Sequence, residues 1–165
     1  MRVRFDGALA AGVTAKDMAL CLIGKIGIGG ATGHALEYAG SAVRALGMEA
    51  RMTLCNMAIE CGERTALIAP DDTTFQYLHG RAYAPAGAAW DDALACWRTL
   101  ASDGDAAYDR ELAFDAADIA PQITWGASPQ DVLAIDGCVP GPASVADSGA
   151  RLTTWGLRRA CPWRA

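Results

Sequence analysis

The sequence has few positive charges, no long apolar run and almost no histidine. Lys and Arg number 14 against 19 Asp and Glu, giving a formal net charge of −5 and a pI near 4.9. Nucleic acids and anionic membranes are bound by a surplus of Lys and Arg on one face, so the composition argues against both partners. No uncharged stretch is long enough to span a bilayer, and no apolar segment follows Arg2 and Arg4. We therefore expect a cytoplasmic protein.

The signatures of several enzyme classes are also missing. There is no G-x-S-x-G, and neither histidine, His34 or His79, can be paired from sequence with a nucleophile or with metal-ligand spacing. No C-x-x-C occurs among the six cysteines. In a reducing compartment such scattered thiols are usually buried apolar side chains, so we expect no self-sufficient metal site. The cysteines are Cys21, Cys55, Cys61, Cys96, Cys138 and Cys161.

Length and hydrophobic periodicity predict one α/β unit. A chain of 165 residues, 52% of them hydrophobic, can bury one core but not two comfortable domains. Alternation around Val3 and Phe5 predicts a strand, and Thr14 with Asp17 three residues later predicts a capped helix start. Strands interleaved with helices then predict a layered α/β domain, although the later strands could form a separate antiparallel corner. Further helices are predicted over 41–46, over 48–62 with Gly62 at its end, over 72–80 with Asp71 or Asp72 as its cap, and over 89–101. Further strands are predicted over 35–38, 66–69, 109–114 and 121–125.

A glycine cluster at 27–33 has two interpretations. Closely spaced glycines let a backbone approach phosphates. However, a helix precedes this cluster and a strand follows it, whereas a dinucleotide fingerprint follows a strand and opens a helix. The context therefore favours a tight connection over a phosphate site.

The predicted helix over 48–62 carries the candidate site. Asn56 and Glu60 are one turn apart, so their side chains project side by side. A carboxylate beside an amide can orient water or a hydroxyl, but periodicity alone favours a solvated surface. The apolar stripe of this helix is predicted to be Met48, Met52, Cys55 and Ile59, and its polar face Glu49, Thr53, Asn56, Glu60 and Glu63.

Six segments of the chain are specific when they are taken together. They are Gly-Val-Thr-Ala-Lys-Asp (12–17), Ile-Gly-Lys-Ile-Gly (23–27), Glu-Tyr-Ala-Gly (37–40), Arg-Met-Thr-Leu-Cys-Asn-Met-Ala-Ile-Glu (51–60), Leu-Ile-Ala-Pro-Asp-Asp-Thr-Thr-Phe (67–75) and Thr-Trp-Gly (124–126). In this order and spacing they resemble the large subunits of bacterial 3-isopropylmalate dehydratases, a branch of the aconitase superfamily. The resemblance runs from about residue 1 to residue 147.

The resemblance implies a layered α/β/α aconitase-type domain, incomplete here, and a hydro-lyase reaction that converts 2-isopropylmalate to 3-isopropylmalate in leucine biosynthesis. In this family a [4Fe-4S] cluster polarises the substrate hydroxyl through an iron without a cysteine ligand. Asn56 matches the asparagine that lines the cluster pocket, and Glu60 matches the glutamate that contacts the hydroxyl or water. A small subunit completes the enzyme. Homoaconitase and aconitase-like hydro-lyases are alternatives within the family.

Several departures from the family shape these expectations. Alanine replaces the usual glycine at Ala31, Ala50 and Ala66, and Cys61 and Glu63 replace small uncharged residues. The family's active-site His and Asp residues map before residue 1 and its three cluster cysteines map beyond Thr-Trp-Gly, so no residue here is assigned as a cluster ligand.

Residues 148–165 form a divergent basic tail without acidic residues, and we expect it to pack little. A genuine basic tail that contacts another molecule is the alternative. We expect residues 1–147 to be a segment of a large subunit that is inactive alone. A non-catalytic gene remnant or an assembly module remains the other interpretation.

Overall fold

The fold is built on one parallel four-stranded sheet. A computed structural model describes residues 1–125 and 127–138. The strand order is β3-β2-β1-β4, and every pairing in this sheet is parallel. The strands are β1 (Arg2–Asp6), β2 (Ala35–Ala39), β3 (Thr65–Ile68) and β4 (Glu111–Asp115). The predicted α/β class is confirmed.

Helices connect these strands, as parallel pairing requires. Each predicted helix is present, although the one over 48–62 ends as an α-helix at Met57 and continues as the 3₁₀ turn Ala58–Cys61. The helices are α1 (Ala15–Ile26), α2 (Ser41–Arg44), α3 (Met48–Met57), α4 (Asp72–Leu78) and α5 (Ala88–Trp97). The candidate residues are therefore carried by the crossover between β2 and β3.

The start of α1 shows why the chain folds as it does locally. Asp17 Oδ2 accepts hydrogen bonds from the Thr14 backbone N–H at 2.8 Å and from Thr14 Oγ1 at 2.7 Å, confirming the predicted pairing. The other oxygen of Asp17 accepts the Gln122 N–H at 2.7 Å, from a segment 105 residues away. The cap therefore also anchors the end of the described chain, and these hydrogen bonds lower the pKa of Asp17 against the opposing effect of burial.

The core lies on one face of the sheet. Val3, Phe5, Leu36 and Tyr38 are buried there, and Met18, Leu22, Ile23 and Leu54 cover them from α1 and α3. Strand side chains alternate between faces, so Arg2, Arg4 and Glu37 lie on the other side. The segment leading from α5 to β4 crosses that side, where Ser102 and Tyr108 donate hydrogen bonds to Glu37. The sheet is thus layered between helices and a polar crossing segment.

A second, antiparallel pair completes the described fold. Strand β5 (Gln122–Thr124) pairs with β6 (Val132–Ala134) and packs on α1. The predicted antiparallel corner is therefore present, but β4 belongs to the main sheet, and β6 was not predicted. In residues 1–125 and 127–138 no helix has the length and hydropathy to cross a membrane. The tail predicted over 148–165 lies outside the described residues, and its packing stays a prediction.

Candidate functional site

Asn56 and Glu60 both lie on the exposed side of the crossover that carries them. Asn56 is near the end of α3, and Glu60 is in the 3₁₀ turn Ala58–Cys61. The buried residues of the same stretch, Leu54, Ala58 and Cys61, face the core. A tighter turn rotates successive side chains differently from an α-helix, so the two residues do not share one continuous α-helix as predicted. Their role in a site stays a prediction.

The predicted apolar stripe is wrong at Met52 and Ile59, whereas Cys55 packs against the core as predicted. Met52 is 46% exposed and Ile59 is 61% exposed. The side chains that face the core are Arg51, Leu54, Ala58 and Cys61. Because Arg51 occupies a core-facing position, a residue counted as polar in the sequence belongs to the buried stripe.

Arg51 clamps three segments together. Its two terminal nitrogens each lie 2.7 Å from an oxygen of Asp71, a bidentate pair, and it is only 3% exposed. Its Nε donates to the Leu46 carbonyl at 2.9 Å, and Nη2 donates to the Arg44 carbonyl at 2.8 Å. The clamp therefore fixes the start of α3 against the end of α2 and the start of α4.

Asp71 serves a second purpose as the cap of α4. Its Oδ1 accepts the backbone N–H groups of Thr73 and Thr74 at 3.1 and 3.3 Å, confirming the predicted cap. The hydrogen bond from Arg51 is the largest influence on Asp71 and lowers the pKa of its carboxyl group. The sequence predicted only the cap. The spacing contained a signal for the buried position of Arg51. This residue lies three positions before Leu54 and seven before Ala58, so it shares their buried helix face.

The glycine cluster packs against the turn that holds Glu60. The Ala31 N–H donates to the Cys61 carbonyl at 2.9 Å. Gly62 ends the turn with φ of 76°, the predicted terminal glycine, and a Cβ there would lie 2.9 Å from the Ile28 carbonyl oxygen. The cluster acts as the predicted tight connection and sets the position of the turn.

Two buried polar side chains, Glu63 and Tyr38, interact electrostatically inside the fold. Glu63 is 8% exposed and Tyr38 is 2% exposed, and neither Glu63 Oε2 nor the Tyr38 hydroxyl has a hydrogen-bond partner among the described residues. Burial raises the pKa of Glu63 and of Tyr38, and it raises the pKa of Cys61 to about 11. Glu63 was predicted to lie on the polar face of the helix, so that prediction is wrong: it lies beyond Gly62, where the chain turns into the core.

The described cysteines do not converge. Cys61 is buried as expected, and Cys21 and Cys55 are half-buried, but Cys96 and Cys138 are exposed, which contradicts the expectation for those two. Residues 1–125 and 127–138 contain no group of three His, Cys, Asp or Glu side chains placed to hold a metal ion. The residues described therefore do not fit an iron–sulfur cluster on their own.

Comparison with known proteins identifies the family. The aconitase family (aconitate hydratase) matches residues 1–158. The chain belongs to this family. It is 55% identical over 151 residues to the 3-isopropylmalate dehydratase large subunit 1 of Bradyrhizobium diazoefficiens, which covers 92% of the chain. It is 57% identical over 153 residues to the 3-isopropylmalate dehydratase large subunit of Anaeromyxobacter dehalogenans, which covers 93% of the chain.

The matched region is a limited part of these relatives. It spans 32% of the length of each large subunit. As a member of the aconitase family the chain is related to hydro-lyases, and the parallel sheet flanked by helices agrees with that relationship.

Proposed function

We propose that this chain supplies Asn56 and Glu60 to the active site of a 3-isopropylmalate dehydratase, the enzyme that interconverts 2-isopropylmalate and 3-isopropylmalate. The observation that carries the proposal is the identity of 55% and 57% to two large subunits over most of the chain. The exposure of both side chains adds support, because a substrate can reach them only from outside the core.

The two side chains suit the handling of a hydroxyl group and a water molecule. The Glu60 carboxylate accepts hydrogen bonds, and the Asn56 amide both donates and accepts them, so the pair can orient a leaving hydroxyl and a carboxylate. The turn holding Glu60 is fixed by the Ala31 hydrogen bond and by Gly62. A fixed backbone places such groups before substrate binds, which is the usual protein contribution to positioning.

The proposed cofactor and partners are contributed by other parts of the assembled enzyme. We propose that a [4Fe-4S] cluster serves the assembled enzyme and is held by cysteines outside the described residues. A small subunit and a small-molecule substrate follow from the large-subunit relatives. A cytoplasmic location belongs to the same proposal, since the five described cysteines are free, as in reducing compartments.

A chimaeric enzyme tests the function. The matched segment of the Anaeromyxobacter large subunit is replaced by this chain and assembled with the small subunit of that enzyme, and hydration of isopropylmaleate is measured. We expect activity, and Asn56→Ala or Glu60→Gln should lower kcat by about 100-fold or more, in the range of a lost transition-state contact.

Glu49→Gln is the matched control. Glu49 is also an exposed carboxylate, but it lies at the start of α3, away from the turn that holds Glu60. It should leave kcat unchanged. A folded chimaera with intact cluster but no activity would refute the function. So would full activity of both site variants.

A further inference from the structure

The unit formed by α4, α5 and their connecting loop carries an unusual surface. A cleft of about 670 Å³ opens there, and most of its lining is apolar. We use the name aromatic face for the five lining residues other than alanine: Leu78, Arg81, Tyr83, Pro85 and Trp97. Tyr83 is fully exposed, and nearby Leu100 is 59% exposed.

Ring contacts hold the wall of this face in place. Trp97 stacks on Phe75 with centroids 6.1 Å apart and meets Trp90 edge-on at 5.6 Å. Trp90 in turn meets His79 edge-on at 5.0 Å. Helix α5 nevertheless has no buried residue, so the rings of Trp90 and Trp97 remain partly open to solvent. A fixed array of half-exposed aromatic rings is typical of an interaction surface.

Arg81 is held at the edge of the face and is available for a partner. Its guanidinium lies 3.7 Å from the centre of the Tyr77 ring, and its Nε donates to the Tyr77 carbonyl at 2.6 Å. No carboxylate of residues 1–125 or 127–138 forms an ion pair with it. Tryptophan, tyrosine and arginine are the residues that contribute most to protein–protein binding. The face therefore has the composition of a binding hot spot.

We infer that the aromatic face docks the part of the large-subunit polypeptide that lies outside the region matched here. This inference rests on the proposed function. The chain spans only 32% of each relative, so about two thirds of such a polypeptide is available to cover the face. The docking segment is apolar and carries an Asp or Glu for Arg81, by charge complementarity.

The geometry disfavours a small molecule as the occupant. A small-ligand site encloses most of its ligand. Here Tyr83 stands fully in solvent with no wall behind its ring. A polypeptide surface can cover such a ring from outside, whereas a small molecule in the cleft would leave it exposed.

Docking is tested with the full chain and with the two flanking polypeptides of the Anaeromyxobacter large subunit, produced separately. Binding is measured by titration calorimetry, and nitration by tetranitromethane is mapped by mass spectrometry. Tyr38 is buried and Tyr77 and Tyr108 are half-buried, so Tyr83 is the tyrosine expected to react most in the isolated chain. We expect a complex in which Tyr83 is protected, and Tyr83→Ser should weaken binding by about tenfold or more.

Leu67→Ser is the matched control, because Leu67 is 58% exposed but lies on β3. It should bind like the unaltered chain. Tyr83 is fully exposed, so its replacement should leave the thermal unfolding of the chain unchanged. Failure of the unaltered chain to bind would overturn the inference, as would a complex in which Tyr83 stays reactive. Protection of Tyr83 by self-association alone would also overturn it.

The proposed function is read out separately in the same complex. Asn56→Ala and Glu60→Gln should dock normally, because neither residue belongs to the aromatic face. After cluster reconstitution and addition of the Anaeromyxobacter small subunit, a complex that docks through Tyr83 but shows no hydration activity would refute the function and leave the docking surface intact. Hydration activity in a complex whose Tyr83 stays reactive would refute the docking surface and leave the proposed function intact.

Discussion

Arg51 illustrates how a single charged residue can belong to the interior. All of its polar groups have partners: both oxygens of Asp71 and two backbone carbonyl groups. A buried charge is tolerated when it is paired and hydrogen-bonded, and removal of one partner then leaves the other groups unsatisfied. Together with the packing of α3 on α1 and β3, this side chain fixes the start of the helix that carries Asn56.

Replacement of Arg51 by Met should therefore destabilise the chain strongly. We expect a loss of about 2 to 4 kcal/mol in the free energy of unfolding, because Asp71 and two carbonyl groups lose their donor. Urea denaturation monitored by circular dichroism measures it. Arg4→Met is the control: the Arg4–Asp6 pair is close at 2.9 Å but more than two-fifths exposed, so its loss should cost less than about 1 kcal/mol. Equal effects of the two substitutions would contradict this account.

Glu63 is the opposite case, a buried acid without a hydrogen-bond partner for one oxygen. Among the residues that the structure describes, Glu63 interacts electrostatically with Tyr38, Cys55 and Cys61, and none of these three is a cation. Burial raises its pKa above the ordinary value of 4.5, so the folded state favours the protonated acid. Stability is therefore lost as the pH rises from below 4.5 through the folded pKa.

Glu63→Gln removes the charge and should stabilise the folded chain at pH 7 by about 1 kcal/mol. The advantage over the unaltered chain should shrink as the pH falls and vanish below 4.5, where both folded and unfolded Glu63 are protonated. Urea denaturation across this pH range is the measurement. Exposed Glu49, changed to Gln, should show no such trend. The quantity to compare is the free energy of unfolding of the Glu63→Gln chain minus that of the unaltered chain. A smaller difference at pH 7 than at pH 4 would contradict the assignment.

At the scale of the element, Gly62 couples the Glu60 turn to the glycine cluster. Its φ of 76° is unfavourable for residues with a Cβ, and that Cβ would also lie 2.8 Å from Thr32 Oγ1 and 2.9 Å from the Ile28 carbonyl oxygen. Gly62→Ala should therefore cost about 2 to 4 kcal/mol, against about 1 to 2 for backbone strain alone. Gly33→Ala provides that comparison, since Gly33 has φ of 83° but nothing within 4 Å of its Cβ.

Hydrogen exchange of the Ala31 amide provides a local measurement for the same prediction. This amide donates to the Cys61 carbonyl, so displacement of the turn should speed its exchange in Gly62→Ala. Gly33→Ala should leave the exchange rate near that of the unaltered chain. The prediction fails if both variants lose the same free energy of unfolding and the same exchange protection at Ala31. In that case the close contact between Gly62 and the glycine cluster does not contribute to stability.

The elements themselves were largely predictable, because their signals are local. Alternation at Val3 and Phe5, the Thr14–Asp17 pair and the cap at Asp71 all act within a few residues. The face of α3 that points to the core could not be predicted from hydrophobicity. Arg51 is buried through Asp71, a partner 20 residues away, and a periodicity that counts arginine as polar assigns Met52 to the core instead.

Short elements and tertiary partners explain the other differences. Strand β6 has only three residues, and it exists through pairing with β5 and packing on α1. Asn56 and Glu60 were predictable as surface residues, and their exposure agrees with that. Their assignment to a site came from resemblance, since an exposed amide and carboxylate alone do not specify chemistry.

At the scale of the molecule, the two faces of the sheet are stabilised in different ways. Parallel sheets usually bury apolar side chains on both faces. Here one face packs on α1 and α3, while the other places Arg2 3.8 Å from both Glu37 and Glu111, with the Tyr108 ring against the guanidinium. The described core is therefore one-sided. The exposed aromatic face and the exposed Asn56 and Glu60 leave two further surfaces for contacts with other polypeptide.

Cluster binding is also a property of more than the described residues. Iron–sulfur clusters are held by several converging cysteine thiolates, and the family resemblance implies three for this [4Fe-4S] cluster. Burial raises the pKa of Cys21, Cys55 and Cys61, which disfavours the thiolate form, and Cys96 and Cys138 lie on other segments. We therefore predict that the chain purified alone binds no stable cluster and does not interconvert isopropylmalates.

Anaerobic reconstitution with iron and sulfide, followed by absorbance and iron quantification, tests this prediction. We expect iron well below one cluster per chain after desalting and no hydration of isopropylmaleate. The chimaera containing the remainder of the Anaeromyxobacter large subunit is the positive control, because it restores the segments to which the family's cluster cysteines map. Both samples receive the Anaeromyxobacter small subunit, so they differ only in the added large-subunit polypeptide, and uptake by the chimaera alone assigns the ligands to that polypeptide. A stoichiometric cluster together with hydration activity in the isolated chain would show that residues 1–165 form a site by themselves.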